Sequence, residues 1–246
     1  MKFFFAGTES KIHIDVLRKC GVKNYLTSFF YIKKWGFNTN ENVMLDSGGF
    51  TARTKGKEIK IKNYIDFINN NNVKLAVNLD TNNVKETLSN QKLLEKETKA
   101  YILPVYHLSD YKDLKYRTLI DKYIEKYNFI CVGGMAGGAN KRNHVEIFLN
   151  YVFNKTRDKI KIHGLGLTGD YFLKKYPLFS VDSTSWQQFS RYGNSRFIND
   201  EKIKKLYLKN RNYKERDKIE IKGTLKKEKY YTDLWKKRGI IWRKDL

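Results

Sequence analysis

Residues 43–50 read Val43-Met44-Leu45-Asp46-Ser47-Gly48-Gly49-Phe50, a short apolar run that ends in an aspartate and opens into a glycine turn. The same order recurs along the chain, where other apolar runs stop at a polar side chain or at glycine. These stops are Asp80, His107, Gly133, His163 and Asp182. In a barrel of parallel strands, the loops after the carboxyl ends of the strands build the functional site. The recurrence therefore predicts an α/β fold of the (β/α)8 TIM-barrel type with polar residues gathered at one end.

Eight apolar runs are candidate strands of this barrel. They cover residues 2–6, 25–31, 42–46, 73–79, 101–106, 127–132, 159–165 and 178–182. Most are continuous rather than alternating, as expected for strands that are covered on both faces. Apolar residues at helical spacing predict helices between them, at residues 10–20, 60–71, 84–98 and 141–154. The second strand and the truncated helix after it break the pattern, so we expect irregular early units.

The character of the sequence changes after Asp182. We predict a barrel domain over residues 1–198 and a basic, aromatic carboxyl-terminal extension over residues 199–246 that packs on it. Two interpretations of the aromatic residues in the extension stay open. They could form the core of a last barrel helix and appended helices, or they could stack on nucleic-acid bases. These residues are Tyr207, Tyr213, Tyr230, Tyr231, Trp235 and Trp242.

The chain is strongly basic. Its 246 residues include 49 Lys and Arg against 26 Asp and Glu, a formal net charge of +23 at pH 7. Genome composition can raise the lysine content, but it does not explain so few acidic residues beside it. Clustered positive charges bind polyphosphates through counterion release, so we expect a nucleic-acid partner. The residues expected to hold it are Arg191, Arg196, Lys236, Lys237 and Arg238.

The two cysteines, Cys20 and Cys131, stand far apart in the sequence. They form no CxxC pair, which argues against a zinc site made of paired cysteines and against a disulfide framework. No stretch approaches the roughly 20 apolar residues of a membrane span. We expect reduced thiols in a cytoplasmic protein, with no metal, no cofactor and no membrane partner.

Asp182 and Asp46 are the candidate catalytic residues. Asp182 follows an apolar run, so we expect it in the half-dry mouth of the barrel, where a carboxylate can attack an electrophilic sugar carbon. Two carboxylates at one mouth can take different roles, one attacking and the other transferring protons, as in retaining glycosyl transfer. Structural alternatives stay open for two of the aspartates. Asp46 could belong to a turn before Gly-Gly, and Asp80 could cap a helix that begins near Asn83.

Residues 133–138 form a glycine-rich loop, Gly133-Gly134-Met135-Ala136-Gly137-Gly138. The loop could bind phosphate at a helix amino terminus, or it could let a flat ring lie against backbone amides. No Walker-type Lys-Ser/Thr follows it, which disfavours a nucleoside triphosphate. His163, which precedes Gly164-Leu165-Gly166, is a candidate lid or stacking residue.

Taken together, these motifs resemble the tRNA-guanine transglycosylase superfamily, whose barrel enzymes exchange guanine for a 7-deazaguanine base. The resemblance covers roughly residues 40–186. It rests on Leu45-Asp46-Ser47-Gly48-Gly49-Phe50, Asp80, Gly133-Gly134-Met135-Ala136, His163-Gly164-Leu165-Gly166 and Val181-Asp182. The Asp-Ser-Gly-Gly-Phe element is fairly specific, whereas the glycine loops only add support.

The resemblance implies a role for the matched residues. Asp182 is similar to the nucleophile that attacks C1′ and holds a covalent glycosyl intermediate, and Asp46 to the carboxylate that transfers protons. Asp80 resembles the acid that binds the guanine-like edge of the base, and Gly134 a backbone contact of the base. The other implied substrate-binding residues are Ser47, Gly48, Phe50, His107, Gly133, Met135, His163 and Gly164.

Within that set, Phe50 and His163 occupy positions whose side chains would flank the ring of the base. His107 stands where the tRNA enzymes carry glutamine. Asp182 is followed by Ser183-Thr184-Ser185-Trp186 instead of the Pro-Thr-Arg stretch of the tRNA enzymes.

Further departures indicate the DNA-modifying branch of the superfamily. The tRNA enzymes are longer and carry a cysteine-rich zinc subdomain, for which this chain lacks the cysteines. The chain is therefore most similar to the compact, phage-like DpdA-type transglycosylases, which place 7-deazaguanines in DNA. The implied partners are DNA and a 7-deazaguanine base as the small-molecule substrate.

Three other functions stay open on the sequence. A zinc-less tRNA-guanine transglycosylase would keep the chemistry and change the polymer. A glycosylase would remove the base without replacing it, and a non-catalytic barrel would only bind nucleic acid. A guanine stacked in a duplex cannot enter a barrel mouth, so the nucleotide has to be flipped out or presented in a single strand. Whether a helper protein opens the duplex is also open.

Overall fold

The computed structural model describes residues 1–135, 142–156, 159–187 and 213–242. Their strands form one sheet with parallel pairings, and the sheet curls into a barrel. The strands are β1 Lys2–Phe5, β2 Asn24–Ser28, β3 Asn42–Asp46, β4 Leu75–Val77, β5 Tyr101–Leu103, β6 Val105–His107, β7 Phe129–Gly133, β8 Lys161–Gly164 and β9 Ser180–Ser183. The predicted (β/α)8 fold is confirmed, with its fifth strand in two pieces.

Pro104 divides that fifth strand into β5 and β6. Proline has no backbone N–H, so it interrupts the hydrogen-bond ladder. β5 pairs with β4, whereas β6 pairs with β7. At the break, the amide of Asn78 donates to the carbonyl oxygen of Leu103 (3.0 Å), and the amide of Cys131 donates to that of Pro104 (2.9 Å). The segment 101–107 thus joins both ends of the sheet and closes the ring.

Helices cover the outside of the ring. They are α1 Lys11–Lys19, α2 Gly49–Thr54, α3 Ile61–Asn70, α4 Val84–Glu97, α5 Leu108–Lys112, α6 Leu119–Lys126, α7 Arg142–Thr156, α8 Asp170–Lys175 and α9 Tyr213–Lys237, with a 3₁₀ turn at Ser185–Gln187. Residues 29–41, between β2 and β3, form turns and bends without a helix, which is the irregular early unit expected from the sequence. In the part of the chain that the structure describes, no helix combines the length and apolar character needed to cross a membrane.

Side chains of the strands alternate between the barrel interior and the helix layer, as the two-residue period of a strand requires. In β1, Phe4 lies in the interior, whereas Phe3 and Phe5 pack toward the helices. In β3, Met44 lies in the interior and Leu45 packs with the α3 residues. The interior cluster is Phe4, Ala6, Leu26, Met44, Val77, Leu103, Val105, Phe129, Cys131 and Phe179. The next inward position after this apolar layer is therefore the place for polar groups at the mouth.

α9 occupies the place of the last barrel helix. It packs against α1, α8 and β1. The Tyr231 hydroxyl donates to Asp170 (2.8 Å), and the indole N–H of Trp235 donates to the carbonyl oxygen of Leu173 (2.9 Å). Both rings are buried in the largest core cluster. The stacking interpretation is wrong for these two residues, whereas Tyr230 on the same helix is exposed.

The carboxyl-terminal half of α9 runs toward the amino-terminal end of the barrel. Glu228 accepts a hydrogen bond from the backbone N–H of Phe3 (2.7 Å), and Thr232 accepts one from the amino terminus of Met1 (3.1 Å). Residues 236–238 follow these contacts, so Lys236, Lys237 and Arg238 lie at the end of the barrel opposite to the carboxyl ends of the strands. Their expected contact with nucleic acid stays a prediction, and it would lie away from the carboxylate site.

The remaining predictions concern two arginines, the domain boundary, Trp242 and the cysteines. Arg191, Arg196 and the domain boundary predicted between residues 198 and 199 lie outside the described residues. Trp242 packs against Phe179, directly before β9, with 6.5 Å between the ring centroids, so it also covers the amino-terminal end of the barrel. Cys20 and Cys131 are free thiols, and Cys131 is buried.

Replacing Trp235 by alanine is expected to lower the free energy of unfolding by about 3–5 kcal/mol, because it removes a buried ring and leaves a cavity. Tyr230→Ala is the matched control on the same helix. The Tyr230 side chain is 51% exposed, so its loss should cost about 0.5 kcal/mol or less. Urea unfolding followed by circular dichroism measures both variants. Equally small changes in the two would contradict the role of α9 as a barrel helix.

Candidate active site

Inward side chains from separate strands meet at the carboxyl-terminal mouth of the barrel. Asp46 ends β3, His107 ends β6, Gly133 ends β7 and Asp182 lies in β9, while Asp80 follows β4 by three residues. The charges of Asp80 and Asp182 both act on Asp46. The structure thus brings the three predicted aspartates into one electrostatic site.

Asp46 combines a turn contact with an unusual acidity. Its Oδ2 accepts a hydrogen bond from the backbone N–H of Gly48 (3.0 Å). Burial, together with the negative charges of Asp80 and Asp182, raises the pKa of Asp46 to about 7. Asp46 therefore stabilises the turn before Gly48 and Gly49, which was the structural alternative in the sequence analysis. Its carboxyl group also exchanges a proton near neutral pH.

Gly48 shapes the turn that holds Asp46. Its φ of +75° lies in the left-handed region, which favours glycine. A Cβ at this position would lie 2.5 Å from the Cβ of Phe30 and 2.6 Å from the Oγ of Ser28. The close approach that requires glycine is thus to Ser28 and Phe30 of the protein itself.

Asp182 is held through one of its two oxygens. Oδ1 accepts a hydrogen bond from the backbone N–H of Gly166 (2.8 Å) and lies 3.2 Å from Nε2 of His163. Among the described residues, no group donates a hydrogen bond to Oδ2. The carboxylate is therefore oriented by Oδ1, with Oδ2 left for a ligand.

His163 lies beneath Asp182 and not beside it at the surface. Its ring is 0% exposed, packs edge-on against Phe4 (5.7 Å between centroids) and places Nδ1 2.8 Å from the Oγ of Ser180. A neutral imidazole satisfies both contacts when Nδ1 accepts from the Ser180 hydroxyl and Nε2–H points at Asp182. The expected lid or stacking role of His163 is wrong, because neither face of the ring is accessible. His163 instead orients Asp182.

Asp80 lies between His107 and Arg53. Its Oδ2 lies 3.0 Å from Nε2 of His107 and 3.4 Å from Nη2 of Arg53, which also donates to the backbone carbonyl of Asp80. Burial alone would raise the pKa of Asp80, but the hydrogen bond and charge of His107 and the charge of Arg53 outweigh it and lower the pKa. Asp80 does not cap α4, since the Asn83 side chain accepts from the Lys85 amide (2.9 Å). Asp80 is thus an ionised carboxylate at neutral pH.

The position of His107 explains why a glycine, Gly133, begins the glycine-rich loop. A Cβ on Gly133 would lie 3.1 Å from both Cε1 and Nδ1 of His107. The backbone N–H of His107 donates to Asp110 (2.9 Å), which fixes the start of α5. Gly134 follows with φ of +73° and is exposed. The rest of the loop, residues 136–141, lies outside the described residues.

Four other predicted substrate-binding residues take different positions. Ser47 is buried, and its Oγ accepts from the amide of Gly49 (3.4 Å). Met135 belongs to the core between barrel and helices, and Gly164 packs against the Leu167 side chain. Substrate contact through the side chains of Ser47 and Met135 is therefore not supported. Phe50, in contrast, exposes 69% of its surface at the start of α2.

Two residues of the site were missed by the sequence analysis. Glu9 accepts a hydrogen bond from the amide of Ser28 (3.1 Å), and its charge contributes to the raised pKa of Asp46. Glu9 follows β1 as the other acids follow their strands, so the same rule could have found it. Arg53 lies on the short helix α2, and no local pattern pairs it with Asp80.

Two cavities flank the pair formed by Asp80 and Arg53. Their volumes are about 280 and 330 Å³, and the smaller is also lined by His107 and Asp110. Neither is lined by Asp46 or Asp182. These cavities thus offer space for a ligand beside Asp80, and Asp46 and Asp182 do not line that space. Within the described ranges, no three His, Cys, Asp or Glu side chains form a group that could hold a metal ion.

The fold and site define a parallel (β/α)8 barrel with a carboxylate cluster at its mouth. No family model matches the sequence. The chain is similar to a bifunctional 3-dehydroquinate synthase/phosphatase of Fusobacterium nucleatum subsp. nucleatum, with 27% identity over 157 residues. The match covers 52% of this chain and 22% of the relative, so the chain spans less than a quarter of that relative's length. This likeness is too low and too partial to assign a family, and the function is argued from the site.

The raised pKa of Asp46 predicts a pH-dependent stability. The folded chain keeps the Asp46 proton up to about pH 7, whereas an unfolded aspartate loses it near its ordinary pKa of 3.8. Between these values the unfolded state binds fewer protons, so this ionisation makes stability fall as the pH rises through the window.

Asp46→Asn removes that ionisation and keeps an oxygen for the Gly48 amide. The variant should gain stability over the wild type on going from pH 4.5 to pH 8, by up to about 3 kcal/mol, since one pKa unit corresponds to about 1.4 kcal/mol. Denaturant unfolding of both proteins at the two pH values measures the difference. A stability difference that is the same at both pH values would show that Asp46 has an ordinary pKa.

Proposed function

We propose that this chain is a DNA-guanine transglycosylase, which exchanges guanine in DNA for a 7-deazaguanine base through a covalent aspartyl–glycosyl intermediate. One observation carries the proposal. Asp46 has a carboxyl group with a pKa of about 7, which is raised in part by the charge of a second carboxylate, Asp182. Oδ1 of Asp182 is held by hydrogen bonds, and Oδ2 is left for a ligand. Glycosyl exchange needs this combination of a proton carrier and a nucleophile.

In the first half of the reaction, Oδ2 of Asp182 attacks C1′ of the target nucleotide. The bond between C1′ and N9 of guanine breaks, and its electron pair stays with the base. The protonated carboxyl group of Asp46 gives its proton to the departing guanine. The products are free guanine and a sugar bonded through C1′ to Asp182, with Asp46 now ionised.

The second half reverses these steps with a different base. The carboxylate of Asp46 takes the N9 proton of the incoming 7-deazaguanine, and N9 attacks C1′. The bond between C1′ and Asp182 breaks, and the carboxylate is restored. Two displacements at C1′ give net retention of configuration, as in retaining glycosyl transfer.

The cluster of Asp80, His107 and Arg53 is the proposed base pocket. Both charge contacts of Asp80 go to Oδ2, so Oδ1 would accept a hydrogen bond from the N–H groups of a guanine-like edge. The low pKa of Asp80 keeps it an acceptor at neutral pH. The adjoining cavity of about 280 Å³ supports this placement of the base.

DNA is the proposed polymer. The net charge of +23 suits a polyphosphate, and the resemblance of the sequence favours the DNA branch. The test incubates the full chain with DNA or with tRNA and a 7-deazaguanine base, and then analyses the nucleosides by mass spectrometry. We expect the modified nucleoside in DNA alone. Modified tRNA would assign the other polymer, and abasic sites without insertion would indicate a glycosylase.

Asp182→Ala is expected to abolish both base exchange and the covalent protein–DNA adduct. DNA binding should stay within about twofold of the wild type, because binding rests on Lys and Arg while covalent catalysis needs the carboxylate. Trapped adducts on denaturing gels and nucleoside mass spectrometry measure the two effects. Exchange near the wild-type level in Asp182→Ala would overturn its role as nucleophile.

Asp46→Asn keeps the shape of the side chain but loses its proton transfer. Base incorporation should fall by on the order of 10²-fold, the usual scale for a positioned acid–base group. The inflection near pH 7 in the pH–rate profile, which follows from the raised pKa of Asp46, should vanish with it. Full activity with an unchanged pH profile would show that Asp46 only stabilises its turn.

A further inference from the structure

A basic groove runs along the outside of the barrel between α8 and the exposed side of α9. Its volume is about 560 Å³. The lining residues are Asp170, Lys174, Ile219, Lys222, Gly223, Lys226, Lys227, Tyr230 and Tyr231. Neither the predicted nucleic-acid residues nor the carboxylate site includes any of the four lysines.

The spacing along α9 places the groove residues on one stripe of the helix. Positions 219, 223, 226 and 230 follow each other at intervals of three or four residues, and position 222 stands three residues after 219 and four before 226, which puts these residues on the same face. The opposite face of α9 is buried through Ile221 and Trp235, and Tyr231 is buried at the edge of the groove. The lysine stripe is therefore turned outward because the apolar stripe is fixed against the barrel.

The charge of the groove is positive and mostly uncompensated. Asp170 is its one acid among the lining residues, and it accepts contacts from Lys227 (2.7 Å) and Tyr231 (2.8 Å). Lys174, Lys222 and Lys226 are exposed, and no described acid forms an ion pair with them. Such a row of ammonium groups matches the phosphates of a nucleic-acid backbone.

A short loop, residues 166–170, connects the carboxylate site with the groove. Asp170 is the first residue of α8, and it stands only four residues after Gly166. The backbone N–H of Gly166 donates to Oδ1 of Asp182. A strand that leaves the barrel mouth over this loop would therefore meet the groove at Asp170.

We propose that this groove holds the sugar–phosphate backbone of the DNA strand that flanks the target nucleotide. Lys174, Lys222 and Lys226 contact phosphates. Tyr230, whose side chain is 51% exposed, gives a surface on which a flanking base or sugar rests. The choice of DNA rests on the proposed function, whereas the place and charge of the groove do not.

The test compares two double variants that each remove two exposed lysines from α9. Lys222→Gln with Lys226→Gln alters the groove. Lys236→Gln with Lys237→Gln alters the amino-terminal end of the barrel and is the matched control. Fluorescence anisotropy of the full chain with a labelled single-stranded oligonucleotide, without a 7-deazaguanine base, gives Kd over a series of KCl concentrations.

The groove variant should reduce the slope of log Kd against log salt by about 1.4–1.8, since each phosphate contact contributes about 0.7–0.9. The control variant should keep the wild-type slope within about 0.3. Tyr230→Ala should weaken binding about fivefold or more with the slope unchanged, because stacking is less sensitive to salt than ion contacts. Tyr230→Phe should bind like the wild type.

Equal losses of slope in the two double variants would overturn the proposal, because they would show an effect of net charge alone. An unchanged slope in the groove variant would overturn it as well. Binding of tRNA but not DNA through the same lysines would replace the occupant by RNA. Groove-dependent DNA binding without any base exchange would support this inference and contradict the proposed function.

Discussion

Each strand of the ring can turn only every second side chain inward, and this constraint governs the core and the site together. Met44 and Asp46 are neighbours on one inward row, and so are Val105 and His107, and Cys131 and Gly133. The lower member of each row is in the apolar interior. The upper member then has to lie at the mouth. A polar site above a dry layer follows from the strand period and from closure of the ring at Pro104.

Burial above the apolar interior of the barrel affects the pKa values of the carboxyl groups at the mouth. Asp46 has no cationic partner among the described residues, so burial and the negative charges of Asp80, Asp182 and Glu9 raise its pKa to about 7. Asp80 is buried too, but His107 and Arg53 lower its pKa. The same charges reach down to Cys131, whose thiol has its pKa raised by burial and by Asp182 and Asp46. Carboxyl groups whose pKa values are pushed apart can hold different protonation states at one pH, which is the basis of acid–base division in many active sites.

The sequence was sufficient for the strands and for four of the longer helices. The apolar runs predicted the strands to within about two residues at most ends, and helical spacing located α1, α3, α4 and α7. Helices of five or six residues, such as α2 and α8, are too short to show a period. Asp46, Asp80 and Asp182 could be found because strand ends are local features. Arg53 could not, because its contact with Asp80 joins two separate units of the barrel.

The largest errors concern residues whose type suggested a role but whose side-chain orientation could not be predicted from the sequence. The imidazole of His163 suggested a ring beside the substrate, but the strand period turns it inward, where Ser180 and Asp182 take both nitrogens. In α9, aromatic residues and lysines alternate, and composition alone cannot say which stripe faces the protein.

Packing decides that question. Tyr231 and Trp235 insert between α8 and the barrel, and this contact fixes the rotation of the whole helix. Lys222 and Lys226, earlier on the helix, are then turned outward along the groove beside α8, while Lys236 and Lys237 are carried to the far end of the barrel. A net charge of +23 is the reason to propose a polyanionic partner. Where that partner can bind is determined by which apolar side chains hold the basic helix in place.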